Sequence, residues 1–380
     1  MANKLIKMIQ DKRIAELIKL LKTLNPVDIA KSMEELDDKS LLMVFRLLSK
    51  EISSEVFAYL DIDYQQKIIE LSTDKEVKEI IENLFLDDTV DLIEELPADI
   101  VKKIISNTSL EKRALINHFL KYEEDSAGAI MTIEFIDFRE EMTIKEAIAH
   151  TKETGINKES LDNCFIIDNE RRLKGIISLK DLILSDENML VSEIMEINIV
   201  SVKTCEDQEK VAKLFKTYDL LSMPVVDVEN RLVGIITVDD IVDIIEQENT
   251  EDFQKMAAMQ PNEEPYLKTS VFTLAKHRIT WLLVLMISAT FTGAIIQGFQ
   301  DVLQSIVVLA SFIPMLMDTG GNSGSQSATL VIRGLALGEI TTKDFFKVVF
   351  KELRVSSLVA VVLAVINFLR IYLLTSSGPL

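Results

Sequence analysis

The chain has 380 residues and a formal net charge of −20, from 61 acidic and 41 basic side chains. Nucleic-acid binding needs clustered cations, so this balance argues against that partner and favours cations instead. Two cysteines, Cys164 and Cys205, and three separated histidines, His118, His150 and His277, offer neither a disulfide framework nor a zinc spacing.

The charge is unevenly placed. Residues 281–380 hold 6 Lys/Arg and 5 Asp/Glu, whereas residues 1–280 hold 35 and 56. Acidity therefore belongs to the polar part of the chain, where scattered carboxylates ordinarily serve solubility. Lys4 and Lys7 interrupt the first ten residues, so no secretory apolar run forms there, and residues 1–280 are expected in the cytosol.

Residues 1–124 read as an all-α superhelical domain. Apolar positions recur at helical spacing, as in Ile14, Leu17, Ile18 and Leu21, and the stretch has two prolines and no glycine. Breaks at 24–26, 60–63 and 71–74 offer caps, and loosely similar units around 28–36, 55–60 and 88–96 predict stacked helix pairs. Asp87, Asp88 and Asp91 place carboxylates on one helical turn. An N-cap role for Asp87 or Asp88 is the plain alternative.

Residues 125–247 change to short β runs alternating with helices. The segment 165–183 matches 224–242 at an offset of 59 residues, with Asp168/Asp227, Gly175/Gly234 and Asp181/Asp240 in register. Each copy predicts strand, turn, strand, then a helix opened by Ser or Thr with Asp three residues on, a capping arrangement. With 130–132 and 194–196 ahead of the two copies, this α/β stretch resembles a tandem pair of CBS domains. That resemblance implies a regulatory module whose cleft takes an adenine nucleotide such as ATP, with Asp181 and Asp240 at the ribose. A nucleotide-free pair used for dimerisation is the alternative.

Residues 248–279 predict a long connecting helix, acidic at first (Glu248, Glu251, Asp252), basic at its end, and broken at 261–265. It is either a linker or a transmitter to the apolar segments beyond it.

Residues 280–380 form the α-helical transmembrane part, in contact with membrane lipid. No charge occurs across the 22 positions 279–300, and Trp281 stands at the entry. A second apolar segment, 302–332, would be roughly 46 Å long as one helix, more than the ~30 Å lipid core, so it must tilt, project or kink at Pro314. A third runs over 355–369. Lys276 and Arg278 before the first span, and Arg333, Lys343, Lys347, Lys351 and Arg354 after the second, put both flanks in the cytosol and make the protein multi-pass in the cell membrane. Within the second span, 314–328 carries Pro314, Asp318, three glycines and a run of hydroxyls and amides. Lipid cannot satisfy so many polar atoms, so the stretch either lines an ion path or packs helices tightly.

At 320–329 and at 122–128 the chain resembles the MgtE family of magnesium channels and transporters, and the order of domains agrees. The resemblance implies a homodimer with a Mg²⁺ pore on its axis, lined here by Pro314, Gly320, Gly321 and Asn322. It also implies Mg²⁺ sensing by Asp87, Asp91, Glu209, Asp219, Asp240, Asp243, Glu248, Glu251 and Asp252, and no enzymatic activity. Departing from the family's five spans, the chain offers three, without the fifth-span carboxylate. The alternative expectation is therefore a truncated, non-conducting CBS sensor tethered to the membrane.

Overall fold

A computed structural model describes residues 2–262, 266–306, 310 and 312–376. The chain divides into two compact units, residues 1–244 and 245–380.

The first unit opens with ten helices: α1 (Ala2–Gln10), α2 (Ile14–Leu21), α3 (Pro26–Met33), α4 (Asp38–Leu47), α5 (Lys50–Ala58), α6 (Ile62–Leu71), α7 (Asp74–Asn83), α8 (Leu86–Glu95), α9 (Ala98–Asn107) and α10 (Leu110–Phe119). Their boundaries follow local chemistry. Asn25 caps α3 through the Val27 N–H at 3.0 Å, and Pro26 fills the first helical position, where no N–H is needed. Thr73 and Glu76 form a reciprocal capping box at α7. Alternate helices stack: α3, α5, α7 and α9 in series, with α4 against α6 and α8 against α10. Lys103 ties two layers together by donating to the carbonyls of Ile69, Glu70 and Ser72 at the end of α6. Fully buried Leu17, Ile29, Met33, Phe57, Ile68 and Ile81 fill the seam. Each such side chain removed from water contributes about 1.5–3 kcal/mol.

Two three-stranded sheets follow. In the first, β1 (Asp137–Arg139) pairs in parallel with β2 (Asn163–Ile167), which pairs antiparallel with β3 (Leu173–Ser178). The second repeats this with β4 (Val202–Lys203), β5 (Ser222–Val226) and β6 (Leu232–Thr237). Helices α11 (Ile144–Thr154), α12 (Leu179–Leu184), α13 (Val191–Ile194) and α14 (Gln208–Tyr218) flank the strands, and α15 (Val238–Met256) leaves β6 directly. The expected strand–turn–strand–helix order holds in both copies, Ser178 capping α12 through the Asp181 N–H at 3.1 Å.

The segments ahead of the copies cross over. Thr132, before the first, exchanges two backbone hydrogen bonds with Ile235 of β6, at 2.8 and 2.9 Å. Glu196, before the second, does the same with Ile176 of β3, at 2.9 Å each. The glycines of the repeat make this approach possible. A Cβ on Gly175 would collide with the Met195 sulfur, and one on Gly234 would lie 2.8 Å from the Thr132 carbonyl oxygen.

The junction 122–128 fastens the helical array to the second copy. Ala127 and Gly128 donate to the carbonyls of Glu206 and Thr204 at 2.7 and 2.9 Å, and Gln208 donates back to Asp125 at 2.8 Å.

In the second unit the principal helices are α16 (Val271–Gly298), α17 (Gln300–Ser305), α18 (Phe312–Ala336) and α19 (Phe345–Ser376). Among the described residues α16 alone meets the length and apolarity of a membrane span. Two expectations change here. The segment 302–332 is not one kinked helix. Pro314 is the third residue of α18, so it stands in a first turn, where its missing N–H costs nothing and no kink is required. Nor is 248–279 one helix of its own. Its first part continues α15 out of β6 and its last part begins α16. The break expected at 261–265 lies partly outside the described residues, as do 377–380.

Candidate functional site

Helix α8 has Phe85 as its N-cap, with no side-chain cap. Asp87 and Asp88 therefore stand inside the first turn, free of capping duty. The Asp87 carboxylate accepts only the neighbouring Asp88 N–H, at 3.0 Å, among the described bonds. Negative charge is favourable at a helix N-terminus, which offsets part of the cost of gathering these acids.

Other acids converge on this turn. Burial comes first and then Asp88, Asp240 and Glu159 in raising the Asp87 carboxyl well above the usual range. Burial, Asp240, Asp239 and Glu134 push Asp88 up to about 6, against the opposing pull of Lys112. Asp240, at the first turn of α15, is raised to about 6 by burial, although the Thr237 hydroxyl donates to it at 2.6 Å; Asp239 and Asp243 add to the rise. Glu159 reaches about 8 through burial and then Asp88, Asp239, Asp240 and Glu134. One of its carboxylate oxygens is buried without a hydrogen-bond partner. An unsatisfied buried acceptor costs free energy unless a proton or a cation meets it.

Lys112 is the cation among these acids. Its ammonium donates to the carbonyls of Ile81 and Leu84, at 2.6 and 2.5 Å, so two of its three protons are already engaged. Burial lowers its pKa, while Glu134, Glu82, Asp87 and Asp88 raise it.

Asp91 lies one turn along α8. It is exposed by area, yet it stands in a recess, and that enclosure, followed by Asp88, Glu94 and Asp240, raises it to about 7. The recess is a cleft of 210 Å³ between α5, α6 and α8, lined by Asp88, Asp91 and Glu95 on one side and by Phe57, Leu60 and Leu92 among its apolar walls.

The remaining sequence candidates divide. Asp243 is exposed one turn beyond Asp240. Glu209 stands in the first turn of α14, its N–H bonded to Asp207 at 2.9 Å. Asp219 is the left-handed C-cap of α14, φ 50° and ψ 47°, which gives it a conformational task of its own. In the second unit, Glu248, Glu251 and Asp252 fall on one side of α15 with Lys255, which pairs with Glu251 at 2.7 Å. Among the described residues no three Asp, Glu, His or Cys side chains stand close enough to hold one metal ion. Glu134, Glu159 and Asp239 were not among the sequence candidates, and Asp88 was marked only by its place on a helical turn. They come from distant segments, and only the fold brings them together.

Asp181 is exposed and steadied by the Ser178 hydroxyl at 2.6 Å, whereas its counterpart Asp240 belongs to the acidic group. On α18, Pro314, Gly320, Gly321 and Asn322 are all exposed, and a Cβ on Gly320, Gly321 or Gly324 would meet nothing. Asp318 lies one turn before Asn322 on the same side.

Comparison with known proteins gives consistent matches. Residues 24–125 match the MgtE intracellular N domain, 127–187 and 191–247 the CBS domain, and 313–380 a divalent cation transporter domain. The magnesium transporter MgtE of Thermus thermophilus is 35% identical over 357 residues, which are 93% of this chain and 79% of that protein. The Bacillus subtilis magnesium transporter MgtE is 30% identical over 363 residues, 96% and 80% of the two chains. Among solved structures, the soluble part of a magnesium transporter aligns with a TM-score of 0.62 and 29% identity, covering 65% of this chain and 97% of that one. The cytosolic domain of the Mg²⁺ channel MgtE in complex with ATP aligns at 0.60 and 35% identity, covering 64% and 100%.

Proposed function

The chain belongs to the MgtE family of magnesium transporters, and from that premise we propose that it passes Mg²⁺ across the cell membrane through a channel gated by cytosolic Mg²⁺. The convergence of acids from α8, the 134–159 region and the start of α15 on one another carries this reading. Two carboxylates ~4 Å apart repel by about 4 kcal/mol at an effective dielectric near 20. Mg²⁺ prefers oxygen ligands and keeps several of its waters, so it can bridge such groups without close chelation by three side chains. Bound at Asp87, Asp91, Asp240 and Asp243, with Asp88, Asp239 and Glu159 beside them, it would hold the helical array against the second CBS unit. Glu248, Glu251 and Asp252 form a second sensing group on α15, and Glu209 and Asp219 are further sensing carboxylates of the second CBS unit. When internal Mg²⁺ falls, repulsion loosens both groups, and α15 carries the change along the chain towards the spans.

The conducting path uses α18. Asn322 and the backbone at Gly320 and Gly321 present oxygens to a hydrated ion, and Pro314 opens the helix that carries them. The exposed face of these residues takes a second copy of the chain, giving a multi-pass homodimer with residues 1–280 in the cytosol. Domain boundaries near 124, 247 and 279 follow from this division of labour. In the CBS cleft, Asp181 is the residue to hold an adenine nucleotide's ribose, since a relative's cytosolic domain is complexed with ATP. Its phosphates would bring negative charge that Mg²⁺ accompanies.

The test is Mg²⁺ uptake into proteoliposomes with Mg²⁺ high on the cytosolic side. The double variant Asp91→Asn/Asp252→Asn should keep conducting where the parent closes. Equal closure in the two proteins would sink the gating mechanism.

A further inference from the structure

Lys112 is a half-buried cation that the gating scheme leaves unused. Backbone sets its place. The ammonium donates to the carbonyls of Ile81, in the last turn of α7, and of Leu84, the C-cap of that helix, at 2.6 and 2.5 Å. A helix C-terminus favours a cation. Leu84 stands two residues before α8 begins, and α10, which carries Lys112, packs on α8. The same two bonds therefore fix the charge beside the first turn of α8, where Asp87 and Asp88 lie.

Neither bond goes to a carboxylate, and among the described residues Lys112 forms no ion pair. Glu134 and Glu82, the acids that bear on it most, are each held by other donors. Glu134 accepts from the Thr132 hydroxyl at 2.6 Å and the Ile133 N–H at 3.1 Å, and Glu82 accepts from the Ser109 N–H at 2.8 Å. Asp87 and Asp88 feel the ammonium without being closed by it, so their oxygens stay open to a metal ion. A second cation arriving there meets a like charge anchored at two backbone oxygens, and in a partly buried site that repulsion is weakly screened.

We propose that Lys112 is a built-in rival of Mg²⁺, a fixed charge that weakens Mg²⁺ binding at the first turn of α8 and so raises the internal concentration at which the channel closes. The inference rests on the Mg²⁺ reading above and adds what sets its threshold.

The experiment is calorimetric titration of Mg²⁺ into the full chain in detergent at neutral pH, with thermal unfolding alongside. Lys112→Met keeps the stem and removes the charge. It should bind Mg²⁺ at least about fivefold more tightly, the low end of coupling between two sites. In proteoliposomes its uptake should shut off at a correspondingly lower Mg²⁺ concentration. Lys112→Arg keeps a charge and should bind as the parent does; tightening equal to that of Lys112→Met overturns the proposal. Without Mg²⁺, Lys112→Met should unfold at a lower temperature, since the carbonyls of Ile81 and Leu84 lose their donor. A purely structural tie gives that loss together with unchanged or weaker Mg²⁺ binding, and this result also overturns the proposal. Should Lys112→Met fail to fold, Lys112→Gln, which keeps a donor, carries the same comparison. Failure of both to fold marks a structural tie and rejects the rivalry. Absence of saturable Mg²⁺ binding by the parent rejects the Mg²⁺ group itself, whereas parent binding that Lys112→Met leaves unchanged rejects this inference alone.

Discussion

Glu159 shows how one side chain acquires a role from its surroundings. Its buried oxygen has no partner, and burial, followed by four other acids, raises its carboxyl to about 8. A raised carboxyl means that the folded protein holds a proton the unfolded chain has released. Stability is therefore lost as pH climbs from the unfolded value near 4 to about 8. Glu159→Gln keeps the shape and mimics the protonated acid at every pH. It should unfold at the parent's temperature near pH 4 and at a higher temperature near pH 8, by thermal denaturation without divalent ions. Asp87, Asp91 and Asp240 are legible in the sequence, but Glu159 is not. Nothing local marks it, because its meaning depends on residues 71 and 81 positions away, at Asp88 and Asp240.

At the scale of elements, the CBS repeat was legible because its glycines and aspartates recur at a fixed offset. The reason for the glycines was not. Gly234 lies against the Thr132 carbonyl, a backbone atom that cannot move aside without breaking the two bonds to Ile235. Gly234→Ala should cost about 1–3 kcal/mol, the usual penalty of overpacking, measured by denaturant unfolding. Gly175→Ala should also destabilise, since the new Cβ would collide with Met195 from its sulfur down to its Cβ at 2.9 Å. The helical array was likewise legible from periodicity and caps. Pro314 was misplaced because a proline signals a kink or a first turn according to where the helix begins, and the uninterrupted apolar run hid that beginning.

For the molecule as a whole, the acids act together. Asp87, Asp88, Asp91, Asp240 and Glu159 are all raised, so each makes the first unit less stable as pH rises through the unfolded carboxyl range towards its own folded value. Glu76 behaves oppositely. Held at about 2 by Arg46, it contributes stability above the unfolded value and loses it as pH falls towards 2. Part of Glu76 is solvated, so that contribution is small, about 1 kcal/mol or less. Mg²⁺ should then raise the unfolding temperature strongly near pH 8 and little near pH 5, where protons already occupy the acids. A shift of equal size at the two pH values would argue against binding at these carboxylates. Domain order and overall charge were legible from residue types alone. The meeting of acids was not, since it depends on the fold bringing α8 near Asp239 and Asp240.

The crossed segments at Thr132 and Glu196 bear on how a signal moves through this unit. The junction at 125–128 grips residues 204–208, and β6 runs on into α15, so the array's anchor and the outgoing helix share one CBS copy. A displacement of the helical array reaches the start of α15 through the copy that anchors it, and it meets the other copy at Glu159. The copy holding Asp181 is tied to the anchoring copy by the paired bonds of Thr132 with Ile235 and Ile176 with Glu196, by Leu173 to Asn230 and Leu232 to Arg171, and by an apolar cluster that joins Phe165 and Ile167 to Val226 and Ile235. A load taken up in that copy therefore bears directly on β6, like a second hand on the same lever.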